Sequence, residues 1–359
     1  MNIFRASFLN DQMNLKYNIV YLKKLYPLRI SRGVRDGQHN LFVSISENGH
    51  TGWGETSPGE SEGAATAEVA QASLEGFLAS GIALDAIHEV YDAAREHKVA
   101  PCALAALDMA LWDLRAKQAN MPLYRMLGFP LPKKATSITL GIMTPKEAKE
   151  RLPLILENQN MRTLKVKLGN NDGIEADKAM YQEVLGYSKK YPISVRVDAN
   201  GGWSLEDAKH MMSWLAERGC EYVEQPLKEG QEGDLPELFK NRPLPIFVDE
   251  SCRFAEDIPK WAHAVDGVNM KLMKCGGVTG ALRIISTAQA FGLKTMIGCM
   301  GETSISIAAG AAVSGVLDHI DLDSHLNLNP DPCEGAPLVN EVIVPTNSPG
   351  HGGHFTNPL

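Results

Sequence analysis

The spacing of apolar residues changes twice along the chain. Between residues 14 and 60 it runs at period two. Leu41 to Ser46 (LFVSIS) alternates and is rich in β-formers, and Asn48-Gly49 supplies a hairpin turn toward TGWGE. This stretch predicts an antiparallel meander. From Ala64 to Gly128 the spacing lengthens to three and four, most clearly in ALAALDMALWDLRAK, and Pro122 with Gly128 closes the run. Together they predict an α+β domain over residues 1–133.

After Lys133, short β-rich runs alternate with amphipathic helical ones. The runs are SITLGI, TLKVKL, SVRVDA, EYVEQP, PIFVDE, VNMKLM, TMIGCM and HIDLD. Between them lie patterns such as SLEDAKHMMSWLAERG, opened by Ser204 as N-cap and closed by Gly219. About eight strand–helix units over residues 134–328 predict an α/β fold, a parallel (β/α) barrel. An open doubly wound sheet would need a Gly-rich phosphate loop after its first strand, and SITLGIMTP has none. Residues 329–359 are rich in Pro and Gly, so this segment either returns to the first domain or frays. The HGGH within it (His351, His354) could ligate a metal, but in such a tail more often marks a disordered end.

Composition narrows the function. The net charge of −8, with no Lys/Arg block, argues against a nucleic-acid surface and suits small ligands. No apolar run reaches membrane-spanning length, and Asn10 and Asp11 interrupt what a signal peptide would need as an apolar core. Six cysteines without a CxxC predict buried free thiols in a reducing compartment, the cytoplasm.

The chemistry lies at the strand ends. Asp198 (VRVDAN), Glu224 (YVEQP) and Asp249 (FVDES) each end a predicted strand, 26 and 25 residues apart, one βα unit each. Alone, such an acid is more often a loop residue or helix cap. Three in register on consecutive strands converge on the barrel mouth, where they would repel unless a cation sat among them. Oxygen-only ligands suit Mg²⁺. Lys165 and Lys167 (LKVKLG) share one strand face, with Val166 and Leu168 turned to the helices. Mutual repulsion and burial should lower a lysine pKa toward neutrality, making it a proton acceptor. Lys271 (VNMKLMK) stands across the mouth, and Lys274 reads as a loop residue. Amines on opposite sides of a divalent cation predict proton removal from carbon, an enediolate, and reprotonation from the other face: racemisation or epimerisation beside a carboxylate.

At these motifs the chain resembles the enolase superfamily, in the muconate-lactonizing-enzyme subgroup, over nearly its whole length. The resemblance rests on KVK, VDAN, VEQP, VDES, KLMKCGG and the ALDMALWDLRAK helix. Pairing a Lys base with Mg²⁺ is a recognised feature of that superfamily. The resemblance implies a modified (β/α)7β TIM-like barrel with a cap built from both chain ends. It also implies one Mg²⁺ per subunit on Asp198, Glu224 and Asp249, with Lys167 and Lys271 as acid/base residues. Lys165 would assist at the substrate carboxylate. Members often assemble, so a homo-oligomer is an open expectation.

Within the subgroup the chain is most similar to dipeptide epimerases of the L-Ala-D/L-Glu type, which implies a place in murein peptide metabolism. Asp321 and Asp323 (DLD) match the pair that binds the substrate's α-ammonium group, and Thr139 matches a substrate-contacting threonine. PLRISRGVRDG (residues 27–37) matches a flexible cap loop, in which Arg32 would read a distal Glu carboxylate; Arg29 and Arg35 are neighbouring candidates. The free-ammonium reading argues against N-acylamino-acid racemase, o-succinylbenzoate synthase and cycloisomerase activities. A non-catalytic ligand-binding barrel would need no two-sided bases. The residues before Leu15 have no counterpart in the family pattern.

Overall fold

The computed structural model describes residues 13–358, so the readings at Asn10 and Asp11 and the opening residues 1–12 lie outside the described residues. Strands β1 (Asn14–Ile30), β2 (Gly33–Glu47) and β3 (His50–Thr56) form an antiparallel sheet in that order. Asn48 and Gly49 turn β2 into β3 with φ of 51° and 78°, as a two-residue hairpin of matching twist requires. The region expected as a cap loop is instead an arm of paired strand. Leu28, Arg29 and Ile30 face Arg35, Val34 and Gly33 around a Ser31-Arg32 turn, beyond an irregularity between Lys23 and Leu28. Alternating Ile30 and Val34 suit a strand, and Gly33 takes the positive φ of 143° that the turn demands.

Helices α1 (Ala67–Leu78), α2 (Ile87–Glu96) and α3 (Pro101–Gln118) cover this sheet, and the short α4 (Leu123–Met126) follows. Helix α3 is buried along most of its length. A Cβ on Gly54 would lie 1.9 Å from the Ala106 carbonyl oxygen, so β3 rests directly on the α3 backbone.

The barrel follows as β4 (Ile138–Leu140), α5 (Pro145–Pro153), β5 (Thr163–Lys167), α6 (Ile174–Gly186), β6 (Ser194–Asp198) and α7 (Leu205–Ala216). It continues through β7 (Cys220–Glu224), α8 (Leu235–Phe239), β8 (Ile246–Val248), α9 (Ile258–Trp261) and β9 (Gly267–Met270). It ends with α10 (Leu272–Cys275), α11 (Val278–Ala290), β10 (Lys294–Ile297), α12 (Ser304–Val313) and β11 (His319–Ile320). All eight strands are parallel and neighbours in chain order. The ring closes where Thr136 bridges Ile320 and the Ser137 N–H donates to the Ile320 carbonyl at 3.1 Å. Tyr222, Phe247 and Met296 fill the floor of its interior. The inward positions one layer above are polar.

Two buried acids of the N-terminal part cap barrel helices. Asp108 of α3 accepts from Thr279 N (2.9 Å) and Thr279 Oγ1 (2.6 Å) at the start of α11. Glu55 of β3 accepts from Thr303 N (3.0 Å) and Thr303 Oγ1 (2.6 Å) at the start of α12. Acid side chains suit these buried N–H groups, which have no acceptor within the helix, and the positive end of the helix dipole.

The HGGH segment is ordered rather than frayed. The His351 N–H donates to Asp113 Oδ1 (2.9 Å), its Nε2 lies 2.8 Å from the Trp53 carbonyl, and its Nδ1 accepts from Gly353 N (2.9 Å). Both ring nitrogens are thus used in packing. All six cysteines are free, five of them buried and Cys299 half-buried. Among the described residues no helix is long and apolar enough to cross a membrane.

Asp108→Ala would leave the Thr279 N–H buried without an acceptor and should lower the unfolding free energy by about 1–3 kcal/mol. Asp108→Asn, which keeps an acceptor oxygen, should lose less. Denaturant titration of both variants measures this, and an unchanged midpoint for Asp108→Ala contradicts it.

Candidate active site

Strand register assembles the acids. Lys167 pairs with Asp198 across β5–β6, and Asp198 with Glu224 across β6–β7. Asp249 lies one residue beyond β8. All three acids are fully buried, and one oxygen from each lies within 4.8 Å of the others.

The lysines stand among them. Lys167 Nζ is 2.6 Å from Asp198 Oδ2, and Lys271 Nζ is 2.7 Å from Asp249 Oδ2. Lys165 Nζ lies 2.8 Å from Glu224 Oε2, 2.8 Å from Asp321 Oδ2 and 3.2 Å from Asp198 Oδ2. In the ring of eight, β5 and β9 are four strands apart, so Lys167 and Lys271 rise from opposite walls. Lys274 is not a loop residue. It sits on α10, buried, and donates to the Asp249 carboxylate and to the carbonyls of Asn269 (3.1 Å) and Cys252 (3.3 Å).

The expected drop in lysine pKa is not what these contacts produce. Burial alone would lower Lys165, but Asp321, Glu224 and Asp198 outweigh it and hold the amine well above its ordinary range. Burial likewise opposes the charge on Lys271, and Asp249 overrides it upward. Burial also works against ionising Asp198 and Asp249. Even so, Lys167 with Lys165, and Lys271 with Lys274, hold the two carboxyls below the usual carboxylate range. Glu224 is pushed up to about 8 by burial and by Asp198 beside it.

A hard cation fits this donor set. Glu224 Oε2 touches Lys165 but forms no hydrogen bond, and buried Asn200 Oδ1, Glu250 Oε2 and Asn269 Oδ1 have no donor among the described residues. The three acids offer oxygen donors only, as Mg²⁺ prefers, with one oxygen of each within 4.8 Å of the others. Asn269 Nδ2 donates to Glu224 Oε1 at 2.8 Å and orients it. Strand alternation from Lys271 could have found Asn269, and VDAN and VDES contain Asn200 and Glu250.

The other expected residues flank this centre. Asp321 accepts from Lys165 and from Ser137 Oγ (2.6 Å), while Asp323 Oδ2 accepts from the Thr139 backbone N–H (2.7 Å). The two acids differ. Burial opposes ionisation of Asp321 but Lys165 holds it low, whereas burial and Asp321 push Asp323 up to about 6. Arg32, at the tip of the β1–β2 arm, donates to Glu250 Oε1 (2.6 Å) and to the Asn200 carbonyl (3.1 Å), which also accepts from Ser31 Oγ (2.9 Å). Arg29 and Arg35 lie on the paired strands behind this tip.

Comparison with known proteins agrees with this geometry. The mandelate racemase/muconate lactonizing enzyme N-terminal domain matches residues 16–128, and the enolase C-terminal domain-like family matches residues 147–357. A protein of a Flavobacteria bacterium is 59% identical over 96% of this chain and 98% of its own length, and is named a hydrophobic dipeptide epimerase. So is a Roseobacter litoralis protein, 59% identical over 95% of this chain and 98% of its own. The chain belongs to the dipeptide epimerases of the enolase superfamily. The Enterococcus faecalis dipeptide epimerase, whose structure holds Mg and the dipeptide L-Leu-L-Tyr, superposes with a TM-score of 0.85 at 31% identity, covering 98% of this chain and 99% of that one.

In this epimerase Lys274 binds Asp249 from within the fold. Lys274→Met would leave part of a buried charge cluster unpaired and should destabilise the protein by about 3–5 kcal/mol. Thermal and denaturant unfolding test this, and wild-type stability in the variant would contradict it.

Proposed function

We propose that the enzyme inverts the α-carbon of the second residue of a dipeptide, using Lys167 and Lys271 as bases on opposite faces. The observation that carries this is the placement of these two amines four strands apart, with the acids between them. One lysine, in its neutral form, takes the proton as the C–H bond breaks, and the other, as the ammonium, delivers a proton to the opposite face. The carboxylates now paired with these amines would be occupied by the cation. Mg²⁺, one per subunit on Asp198, Glu224 and Asp249, would supply positive charge toward the substrate carboxylate and so acidify the adjacent C–H. Lys165 adds a second positive charge at that end. Asp321 and Asp323 take the substrate's ammonium group, with Thr139 positioning Asp323. The same reading treats residues 1–133 as a cap, 134–328 as the catalytic barrel and 329–359 as a segment returning to the cap. Hydrogen bonds such as His351 N to Asp113 support that division.

The side chain of the second residue is read as apolar. Arg32 is already neutralised by Glu250, which leaves little free positive charge for a substrate carboxylate. The two relatives at 59% identity are named hydrophobic dipeptide epimerases. L-Ala-D/L-Glu stays as the second reading, favoured by the 48% exposure of the Arg32 side chain.

The Mg²⁺-loaded enzyme in D₂O should replace the leucine α-proton of L-Ala-L-Leu, with kcat/KM at least tenfold above that for L-Ala-L-Glu. EDTA should stop the exchange and added Mg²⁺ restore it. Faster exchange of L-Ala-L-Glu would favour the second reading. Exchange confined to N-succinyl amino acids would overturn dipeptide epimerisation.

A further inference from the structure

Lys271 follows β9 by one residue and is still extended, with φ −134° and ψ 135°, so it shares the inward face with Asn269 two residues before it. Both side chains are buried. Asn269 is tied down by the hydrogen bond from its Nδ2 to Glu224 Oε1 at 2.8 Å, while its Oδ1 has no hydrogen-bond partner among the described residues. Gly298 stands beside them, one residue past β10, and its N–H donates to the Met270 carbonyl at 2.9 Å. A Cβ placed on Gly298 would lie 2.9 Å from Asn269 Nδ2, 3.1 Å from Asn269 Oδ1 and 3.1 Å from Lys271 Cε. Gly298 is buried and is not one of the glycines with a positive φ, so space rather than backbone conformation demands a glycine there.

A lysine carries its charge on a flexible four-carbon stem that turns freely unless packing holds it. Here the stem is held. Lys271 Cε and the Asn269 amide border the one gap that Gly298 leaves open, just before Lys271 Nζ reaches Asp249 Oδ2 at 2.7 Å. In the proposed reaction Asp249 serves the cation, which leaves this packing to keep the amine aimed. Lys167 rises from β5 on the opposite wall, away from the gap. A change in the gap therefore acts on one of the two amines. A displacement of about 1 Å at a reacting group can cost on the order of 10²-fold in rate.

We infer that Gly298 and Asn269 are positioning residues for Lys271, and through it for proton transfer on one face of the α-carbon only. The inference rests on the proposed two-base reaction and adds residues that the reaction by itself does not name.

The test follows loss of the leucine α-proton from L-Ala-L-Leu and from L-Ala-D-Leu in D₂O, with the full chain at saturating Mg²⁺. Wild type, Lys271→Ala, Gly298→Ala and Asn269→Ala are compared, with circular dichroism to establish folding. Lys271→Ala identifies the isomer that this lysine serves. Gly298→Ala should slow exchange from that isomer at least tenfold more than from the other, because the added methyl displaces the stem. Asn269→Ala, which removes the other wall of the gap, should shift the ratio in the same direction. A defect that is merely structural, or one that acts only through Glu224 and the cation, slows both isomers alike. An unshifted or opposite ratio in either variant that folds overturns the inference. Wild type that exchanges neither isomer, or Lys271→Ala that favours neither, would overturn the two-base reaction as well, whereas a skew confined to Lys271→Ala overturns only the roles of Gly298 and Asn269.

Discussion

Like-charge repulsion among Asp198, Glu224 and Asp249 is the constraint around which the barrel mouth is built. Three buried carboxyls with oxygens inside 4.8 Å cannot all ionise unaided, and Glu224 holding its proton up to about 8 is the sign of that strain. The chain answers with lysines. Lys165, Lys167, Lys271 and Lys274 lie against Asp198, Glu224, Asp249 and Asp321, so a dense charge cluster is balanced within the fold. Replacing part of that balance with a divalent cation leaves the same amines beside a substrate carboxylate, where they can act on its neighbouring carbon. In the proposed reaction, the arrangement that makes the acids tolerable also supplies the bases.

A parallel barrel holds such a cluster because every strand delivers its last inward residue to the same rim. Tyr222, Phe247 and Met296 close the floor, which keeps the polar layer away from bulk water on that side. The N-terminal part closes the other side. Its long arm reaches the residues next to two of the three acids, and Asp108 and Glu55 seat it on the starts of α11 and α12. The arm and the rim of the barrel are therefore fixed to one frame.

Much of this was legible in the sequence because it follows from period and spacing. Period two made Lys165 and Lys167 share a face, and a spacing of one βα unit put Asp198, Glu224 and Asp249 at one height. The same logic located all eight strands. What escaped depends on contacts between residues distant in sequence. Lys274 reads as a loop residue because nothing local says that it binds Asp249. The Lys165–Lys167 pair reads as a source of a lowered lysine pKa, but pairing across strands with Asp321, Glu224 and Asp198 raises Lys165 instead. His351 looked like part of a loose tail because its partners, Trp53 and Asp113, lie far back in the chain. The segment carrying Arg32 reads as a loop, although its residues pair as strands on both sides of the Ser31-Arg32 turn.

Division of labour between the two opposed amines is the core of the account, and isotope exchange by single variants measures it most directly. In D₂O with Mg²⁺, wild type should wash the α-proton from both L-Ala-L-Leu and L-Ala-D-Leu. Lys167→Ala and Lys271→Ala should each abolish epimerisation, one still exchanging only the L,L isomer and the other only the L,D isomer. If both variants lose exchange from the same isomer, or if either still epimerises, one lysine serves both faces or neither serves at all, and the account is wrong.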